Sequence, residues 1–315
     1  MMYAARALSV ALSIFVLVYA ITRVSVECFT PLVVRYLRKQ SSLLSPNSWY
    51  AFQVAPFLLA TVVTGLFAVP SFLSFEPNHA EEEFGFPVLF LSAACLTIVA
   101  AGLYRAWSAY SRTASTVRHW REMATPVSTG RFDVLQTGPN APAMVVAGLF
   151  RPKLLVSSSA TTLLSKDELT RAMAHECSHI RNFDNAKKLL LRACAFPPSR
   201  QLERHWLEAI EIAADQEAVT SKREALELAS ALVKASRLSV ATTAELTSNL
   251  TTDSGQLLHT RVERLLAWSQ NGVTPASKLT RIVPLFFAAI GALAVAVLYQ
   301  PLLLQMHYFA EFLMR

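Results

Sequence analysis

The segment His175-Glu176-Cys177-Ser178-His179 carries two imidazoles and a carboxylate close together in the chain. In a helix, residues four apart lie on the same face, so His175 and His179 can both reach one metal ion. Glu176 then lies beside that ion, where it can hold and deprotonate a bound water molecule. This H-E-x-x-H pattern is typical of zinc peptidases. We therefore predict Zn²⁺ as the cofactor and Glu176 as the catalytic base.

A third metal ligand is expected in a second helical segment, His205 to Val219. Catalytic zinc sites have three protein ligands and one position open for water. Glu211 follows His179 by 32 residues and can supply the third ligand. Asp215, one turn further on, can accept a hydrogen bond from the free N–H of a ligating histidine and so orient its ring. The alternative is a solvated acidic helix face, but the upstream H-E-x-x-H favours the ligand interpretation.

The local signals around the motif predict a helix preceded by strands. Ser165 and Glu168 form a capping box, with Ser at the N-cap and Glu three residues later. The histidines therefore fall in mid-helix, on a rigid element. Three short segments are typical of strands, and the second and third can form a hairpin: Phe132 to Leu135, Ala143 to Val146 and Lys153 to Ser157. An unpaired strand at Lys153 to Ser157 could bind an extended peptide by strand addition.

The composition indicates a membrane protein. Hydrophobic residues make up 53% of the chain and charged residues 16%, against a typical charged share of about 25%. Four apolar runs are long enough to span a bilayer: about 7–26, 52–75, 86–104 and 282–305. The alternative for the last three is a buried core helix. The first could also be a cleaved signal peptide.

The distribution of charge predicts the topology. The segments after the first and third spans are basic, whereas the loop between the second and third contains Glu but neither Lys nor Arg. By the positive-inside rule, both termini are outside and residues 108–281 form a cytoplasmic domain. This plan divides the chain into 1–107, 108–281, 282–305 and a ten-residue outer tail, 306–315.

The basic segments that the positive-inside rule places in the cytoplasm account for most of the net charge of +7. We therefore do not expect direct nucleic-acid binding. The four cysteines show no paired spacing, and Cys177 is expected to pack inside the fold.

The chain resembles the BlaR/MecR family of integral-membrane zinc metallopeptidases. The resemblance is carried by the motif blocks 148–156, 164–169, 175–184 and 211–215, by the Arg-containing block 261–265, and by the membrane plan. It implies an α-helical membrane protein with three transmembrane helices, a cytoplasmic α+β zincin-like (gluzincin) metalloprotease domain and a fourth transmembrane helix. It further implies a multi-pass protein of the bacterial inner (plasma) membrane.

The resemblance implies an endopeptidase that cleaves a protein or peptide substrate, such as a transcriptional repressor, in regulated signalling. In the antibiotic-sensing members the fourth span leads to an extracellular ligand-binding domain. Here the chain ends ten residues after that span, so the sensor role is not carried over.

Two other functions stay open: a quality-control protease of the HtpX type, and a non-catalytic, zinc-stabilised membrane scaffold or receptor subunit. A structural zinc site usually has four protein ligands and needs no base beside it. The residue that stabilises the transition state is not identified by the sequence; His205, His259 and Arg261 are candidates.

Overall fold

The computed structural model describes residues 2–39, 44–75, 85–129, 132–138, 141–149, 152–238, 248–249, 255–271 and 299–313. In this part of the chain most residues are helical and one small sheet is present. The chain divides into two compact units. The first comprises Met1–Tyr36, Phe52–Ala101 and Thr274–Arg315, and the second comprises Leu37–Ala51 and Gly102–Val273.

The described helices are α1 (Met2–Lys39), α2 (Pro46–Val63), α3 (Val69–Phe75), α4 (Phe86–Glu122), α5 (Ser158–Leu163), α6 (Lys166–Arg181), α7 (Asp184–Cys194), α8 (Arg200–Ala218), α9 (Lys222–Ser236) and α10 (Gly255–Asn271). A π-helical turn, Thr64–Ala68, joins α2 to α3. The strands are β1 (Thr125–Thr129), β2 (Phe132–Thr137), β3 (Met144–Ala147), β4 (Lys153–Ser157) and β5 (Ser248–Asn249).

Three helical stretches among the described residues are long and apolar enough to cross a membrane: Tyr3–Tyr36, Pro46–Phe75 and Phe86–Glu122. They cover the first three predicted spans, and each is longer than the apolar run that predicted it. Most of the fourth predicted span, 282–305, lies outside the described residues. Residues 299–313 are helical, so this helix continues beyond Gln305 into the segment assigned to the outer tail.

The first unit has its own apolar core. Its buried members come from α1, the π-helical turn, α3, α4 and the helix 299–313: Val10, Ile14, Ala68, Phe72, Val88, Ala310 and Leu313. Two buried serines bond to backbone carbonyls on other helices. Ser13 Oγ donates to Val88 O at 3.0 Å, and Ser71 Oγ donates to Leu303 O at 2.9 Å. Such bonds satisfy hydroxyls that would otherwise be buried at a cost.

The sheet of the second unit has the strand order β1-β2-β4-β3-β5. The predicted hairpin of β3 and β4 is confirmed, since the two strands pair antiparallel from Met144↔Val156 to Ala147↔Lys153. β4 also pairs in parallel with β2. The interpretation of Lys153–Ser157 as an unpaired strand for substrate is therefore wrong, because β4 has a partner along both of its edges.

Both faces of this sheet are covered, which explains why β3 is apolar at every position and β4 is apolar at its three middle residues. Side chains alternate between the two faces of a strand. One set packs against Val117 and Trp120 of α4: Leu135, Val145, Ala147 and Leu155. The other set belongs to the larger core built with α6, α9 and α10: Val134, Met144, Val146, Leu154 and Val156.

The predicted capping box at the start of α6 is confirmed. The Ser165 backbone N–H donates to Glu168 Oε2 at 2.8 Å, and the Glu168 N–H donates to Ser165 Oγ at 3.3 Å. Glu168 also accepts from Lys234 Nζ at 2.7 Å and from Ser230 Oγ at 2.6 Å, both on α9. Burial alone would raise the pKa of Glu168, but these donors outweigh it and lower the pKa to about 2.

We expect Glu168→Gln to destabilise the protein by about 1–3 kcal/mol, because the charged acceptor of three donors is lost. The free energy of unfolding should also lose pH dependence. Since the pKa of folded Glu168 is about 2 against a usual 4.5, its stabilisation is present above pH 4.5 and is lost as the pH falls toward 2. Unfolding followed by circular dichroism between pH 2 and 7 measures both effects.

The matched control is Asp167→Asn. Asp167 is the neighbouring residue, and its ion pair with Arg223 is exposed, with side-chain exposures of 60% and 79%. Such an exposed pair contributes little to stability, because solvent screens it. Equal destabilisation by the two variants would contradict the role given to Glu168.

A side chain at Gly102 on α4 is expected to destabilise the protein. A Cβ at Gly102 would collide with the carbonyl oxygen of Ala193 on α7, whereas a Cβ at Gly65 would meet nothing within 4 Å. Gly102→Ala should therefore lower stability by about 1–3 kcal/mol, despite the better helix propensity of alanine. Gly65→Ala is the control, and thermal unfolding of both variants in detergent compares them. An unchanged melting temperature for Gly102→Ala would contradict the close approach of α4 and α7.

Candidate metal centre

Two helices bring the three predicted ligands together. His175 and His179 of α6 and Glu211 of α8 each offer one ligand atom, and these atoms lie within 4.8 Å of one another. His175 Nε2 lies 3.2 Å from His179 Nε2 and 3.4 Å from Glu211 Oε2. His179 Nε2 lies 3.7 Å from Glu211 Oε1. Both imidazoles are buried, and the Glu211 side chain is 13% exposed.

The position of Glu211 follows from how α8 packs. Ser199 caps this helix, its Oγ accepting from the Leu202 N–H at 3.3 Å. Leu202, Trp206, Ile210 and Ala214 recur every four residues and belong to its buried face. At its C-terminal end, Glu217 accepts from Ser178 Oγ at 2.8 Å on α6. The two ligand-bearing helices are thus fastened to each other beside the three ligands.

Each histidine has a carboxylate at its other ring nitrogen. Asp215 Oδ1 lies 2.9 Å from His175 Nδ1, the partner that the sequence predicted for a ligating histidine. Asp184 Oδ2 lies 2.8 Å from His179 Nδ1. A carboxylate only accepts hydrogen bonds, so it favours the tautomer with the proton on Nδ1. Each Nε2 atom, without a proton of its own, could then bind a metal ion.

This arrangement fits a metal ion. Two nitrogen lone pairs 3.2 Å apart repel each other unless a proton or a cation lies between them. A carboxylate oxygen of Glu211 approaches the same point from α8. Two imidazoles and one carboxylate are a donor set that divalent transition metals prefer.

The sequence analysis did not find the role of Asp184. The nearby Arg181 pairs with Glu217 at 3.1 Å. Asp184 reaches His179 because the chain turns between α6 and α7. Phe183 makes that turn in the left-handed region, with φ 54°, a conformation that non-glycine residues rarely adopt. The types of the residues around Phe183 do not predict this turn.

Arg261 of α10 is fully buried and contacts the carboxylates of Asp215 and Glu211. Its Nε and Nη2 donate to the two oxygens of Asp215 at 2.8 and 2.7 Å. Its Nη1 lies 3.0 Å from Glu211 Oε2. This two-pronged contact orients Asp215 and holds Glu211 at the same time. Arg261 was one of three candidates for stabilising the transition state, and in the structure it contacts Asp215 and Glu211.

The buried charges shift one another's pKa values. Burial alone would raise the pKa of Glu211 and of Asp215, but the Arg261 guanidinium and the imidazoles hold both well below their usual range. Burial lowers the pKa of His175, yet its contacts with Asp215 and Glu211 prevail and raise it to about 9. Burial raises the pKa of Glu176 to about 7. A carboxylate that titrates near neutrality is suited to general base catalysis.

A further basic residue belongs to the charge network around the histidines. Lys188 of α7 interacts electrostatically with the carboxylates of Glu211, Asp184 and Glu176 and with the guanidinium of Arg192. Burial lowers the pKa of the Lys188 amine more than these carboxylates raise it.

The remaining candidates lie elsewhere. His205 stacks on Trp49 with ring centroids 5.0 Å apart, and its Nδ1 lies 3.5 Å from Glu208. The His259 side chain is 73% exposed and lies near Glu263. Cys177 is buried, as expected, and is not a member of the ligand group found among the described residues. Burial raises the pKa of its thiol to about 11, which disfavours a thiolate ligand.

A comparison with models of known protein families finds no match to this sequence, and a comparison with curated proteins finds none either. The function must therefore be argued from the residues themselves.

We expect Arg261→Met to destabilise the protein by about 3–5 kcal/mol, because Asp215 and Glu211 would be left buried without their cation. Arg264→Met is the matched control, since Arg264 is exposed on the same helix and should change stability by less than about 0.5 kcal/mol. Denaturant unfolding of the detergent-purified variants makes the comparison. Similar losses in both would show that Arg261 does not hold the two carboxylates.

Proposed function

We propose that this protein is a membrane-anchored zinc metalloendopeptidase. The convergence of His175, His179 and Glu211 ligand atoms within 4.8 Å, next to the buried Glu176, is the observation that carries the proposal. Two histidines and one glutamate are the protein ligands of several zinc peptidases, which leave a fourth position open. A purely structural zinc site usually has four protein ligands and no base beside it.

The proposed chemistry is hydrolysis of a peptide bond. When bound by these three residues, zinc supplies a Lewis acid that makes water more acidic and polarises the scissile carbonyl. Glu176 accepts a proton from the attacking water as the new C–O bond forms at the carbonyl carbon. It then delivers that proton to the amine nitrogen as the C–N bond breaks. Asp215 and Asp184 keep the two histidines in the tautomer and orientation that ligation needs.

The membrane setting supports regulated proteolysis as the biological role. Three helices are long and apolar enough to cross a bilayer, and the sequence resembles BlaR/MecR-type peptidases. We propose that the second unit is the zincin-like, cytoplasmic protease domain and that its substrate is a cytoplasmic regulatory protein. The positive-inside pattern supports this placement.

Glu176→Gln is expected to retain bound zinc and to abolish cleavage, because Gln cannot accept the proton from water. The fall in kcat should be on the order of a hundredfold or more. Zinc content by mass spectrometry, together with cleavage of casein and of the chain itself, gives both readouts on detergent-purified protein. If the wild type binds one zinc ion but cleaves neither, the proposal fails in favour of a zinc-stabilised scaffold.

Glu211→Gln should lower zinc affinity by at least about tenfold, since a neutral amide is a much weaker ligand than a carboxylate. Glu208→Gln is the matched control on the same helix, because Glu208 pairs with Arg204 at 2.7 Å and with His205 at 3.5 Å rather than with His175 or His179. Chelator competition measures the affinities. Equal zinc binding by the two variants would remove Glu211 from the ligand set.

A further inference from the structure

A groove runs along one face of the C-terminal turns of α4, and we call it the α4 groove. Its volume is about 490 Å³, within the range of about 300–1,000 Å³ that is usual for binding sites. Residues of α4 at helical spacing form one wall, among them Tyr110, Val117 and Arg121. Gly148 and Leu149, which follow β3, form the other wall.

Both walls of the α4 groove are held by packing and hydrogen bonding. On the side of α4, Val117 packs against Val145 and Ala147 of β3. On the other side, the carbonyl oxygen of Gly148 accepts from Asn185 Nδ2 of α7 at 3.3 Å. The groove is therefore part of the packed second unit, with its walls set by the sheet and by α7.

The α4 groove is basic. Arg118 and Arg121 line it together with one acidic residue, Glu122. Both arginines are exposed, and neither side chain forms an ion pair or hydrogen bond with any residue that the structure describes. A guanidinium pairs with carboxylates through two parallel hydrogen bonds. Because Tyr110 and Leu149 add apolar surface beside these charges, the groove fits a polypeptide with acidic and apolar side chains.

The α4 groove is linked by contacts to the support of His179. Asn185, which bonds to Gly148 in the wall of the groove, directly follows Asp184 at the start of α7. Asp184 Oδ2 in turn lies 2.8 Å from His179 Nδ1. A polypeptide seated in the groove thus contacts the part of the fold that orients one of the candidate metal ligands.

The length of α4 favours a polypeptide over a lipid headgroup as the occupant. Arg118 and Arg121 follow Tyr104, the end of the third predicted span, by 14 and 17 residues. At about 1.5 Å per residue, they lie roughly 20–25 Å beyond that span along the helix axis. The headgroup layer on each side of a bilayer is only roughly 5–8 Å thick. The arginines therefore extend past the headgroups into water.

We propose that the α4 groove docks an acidic segment of the protein substrate, with Arg118 and Arg121 paired to its carboxylates and Tyr110 and Leu149 against its apolar side chains. This inference rests on the proposed peptidase function and names the substrate class, a polypeptide with acidic residues away from the scissile bond. Binding of a part of the substrate that does not react lowers KM and leaves kcat unchanged.

The probe is a pair of fluorescein-labelled peptides of one sequence, with either Glu or Gln at the acidic positions. Fluorescence anisotropy measures their binding to the full, detergent-solubilised Glu176→Gln protein, which should not cleave them. Adding Arg118→Gln and Arg121→Gln should weaken binding of the acidic peptide on the order of tenfold, because two attractive charges are lost. Binding of the neutral peptide and the melting temperature should not change, and high salt should remove the difference.

Arg264→Gln is the matched control, since Arg264 is an exposed arginine on α10 and should leave binding of both peptides unchanged. In the protein that retains Glu176, the double arginine variant should raise KM for the acidic peptide on the order of tenfold, with kcat little changed.

Equal binding of the acidic peptide with and without the two arginines would overturn the inference. Equal weakening by Arg264→Gln would also overturn it, since that result indicates attraction to a basic protein in general. Binding of short-chain phosphatidylglycerol through the two arginines, without preference for the acidic peptide, would assign the groove to a lipid instead. A wild type that binds zinc but cleaves neither peptide would overturn the proposed function. Charge-dependent binding through the two arginines would then still identify the groove as a docking surface for an acidic partner.

Discussion

The ion pair between Arg261 and Asp215 is the interaction on which the candidate metal centre depends. Asp215 is buried, and only a well-oriented cation makes an ionised carboxylate stable there. Once Arg261 holds both oxygens of Asp215, the carboxylate can orient His175, and the same guanidinium fixes Glu211. Three helices, α6, α8 and α10, are thereby joined through charge at one point. Apolar packing brings the three helices side by side, and the contacts of Arg261 with Asp215 and Glu211 orient the ligand side chains.

The second histidine is supported by different means. Asp184 reaches His179 only because Phe183 adopts a left-handed conformation between α6 and α7. Such a conformation costs a non-glycine residue about 1–2 kcal/mol, and Phe183 is 68% exposed, so burial of its side chain recovers little. Strain of this kind persists where the surrounding structure requires it, and it is concentrated at functional sites. Here the strained turn serves the ligand geometry.

The sequence predicts the elements that bear the ligands because their signals are local. The four-residue spacing of His175 and His179, the Ser165–Glu168 capping box and the β3–β4 hairpin all depend on neighbours within a few residues. The turn at Phe183 has no such signal, and it decides where Asp184 and Lys188 lie. The pairing of β4 with β2 was not predicted, because β3 lies between these two strands in the chain. Long-range pairing depends on the whole fold rather than on a pattern in the chain.

X-ray absorption at the zinc edge of the purified full-length protein tests the central claim, that His175, His179 and Glu211 hold one zinc ion. We predict two imidazole ligands and additional oxygen ligands at about 2.0–2.2 Å, with no sulfur. The spectrum should lose an imidazole contribution in His179→Ala. A sulfur shell at about 2.3 Å would place a cysteine on the metal and contradict the assignment, as would a protein that binds no zinc.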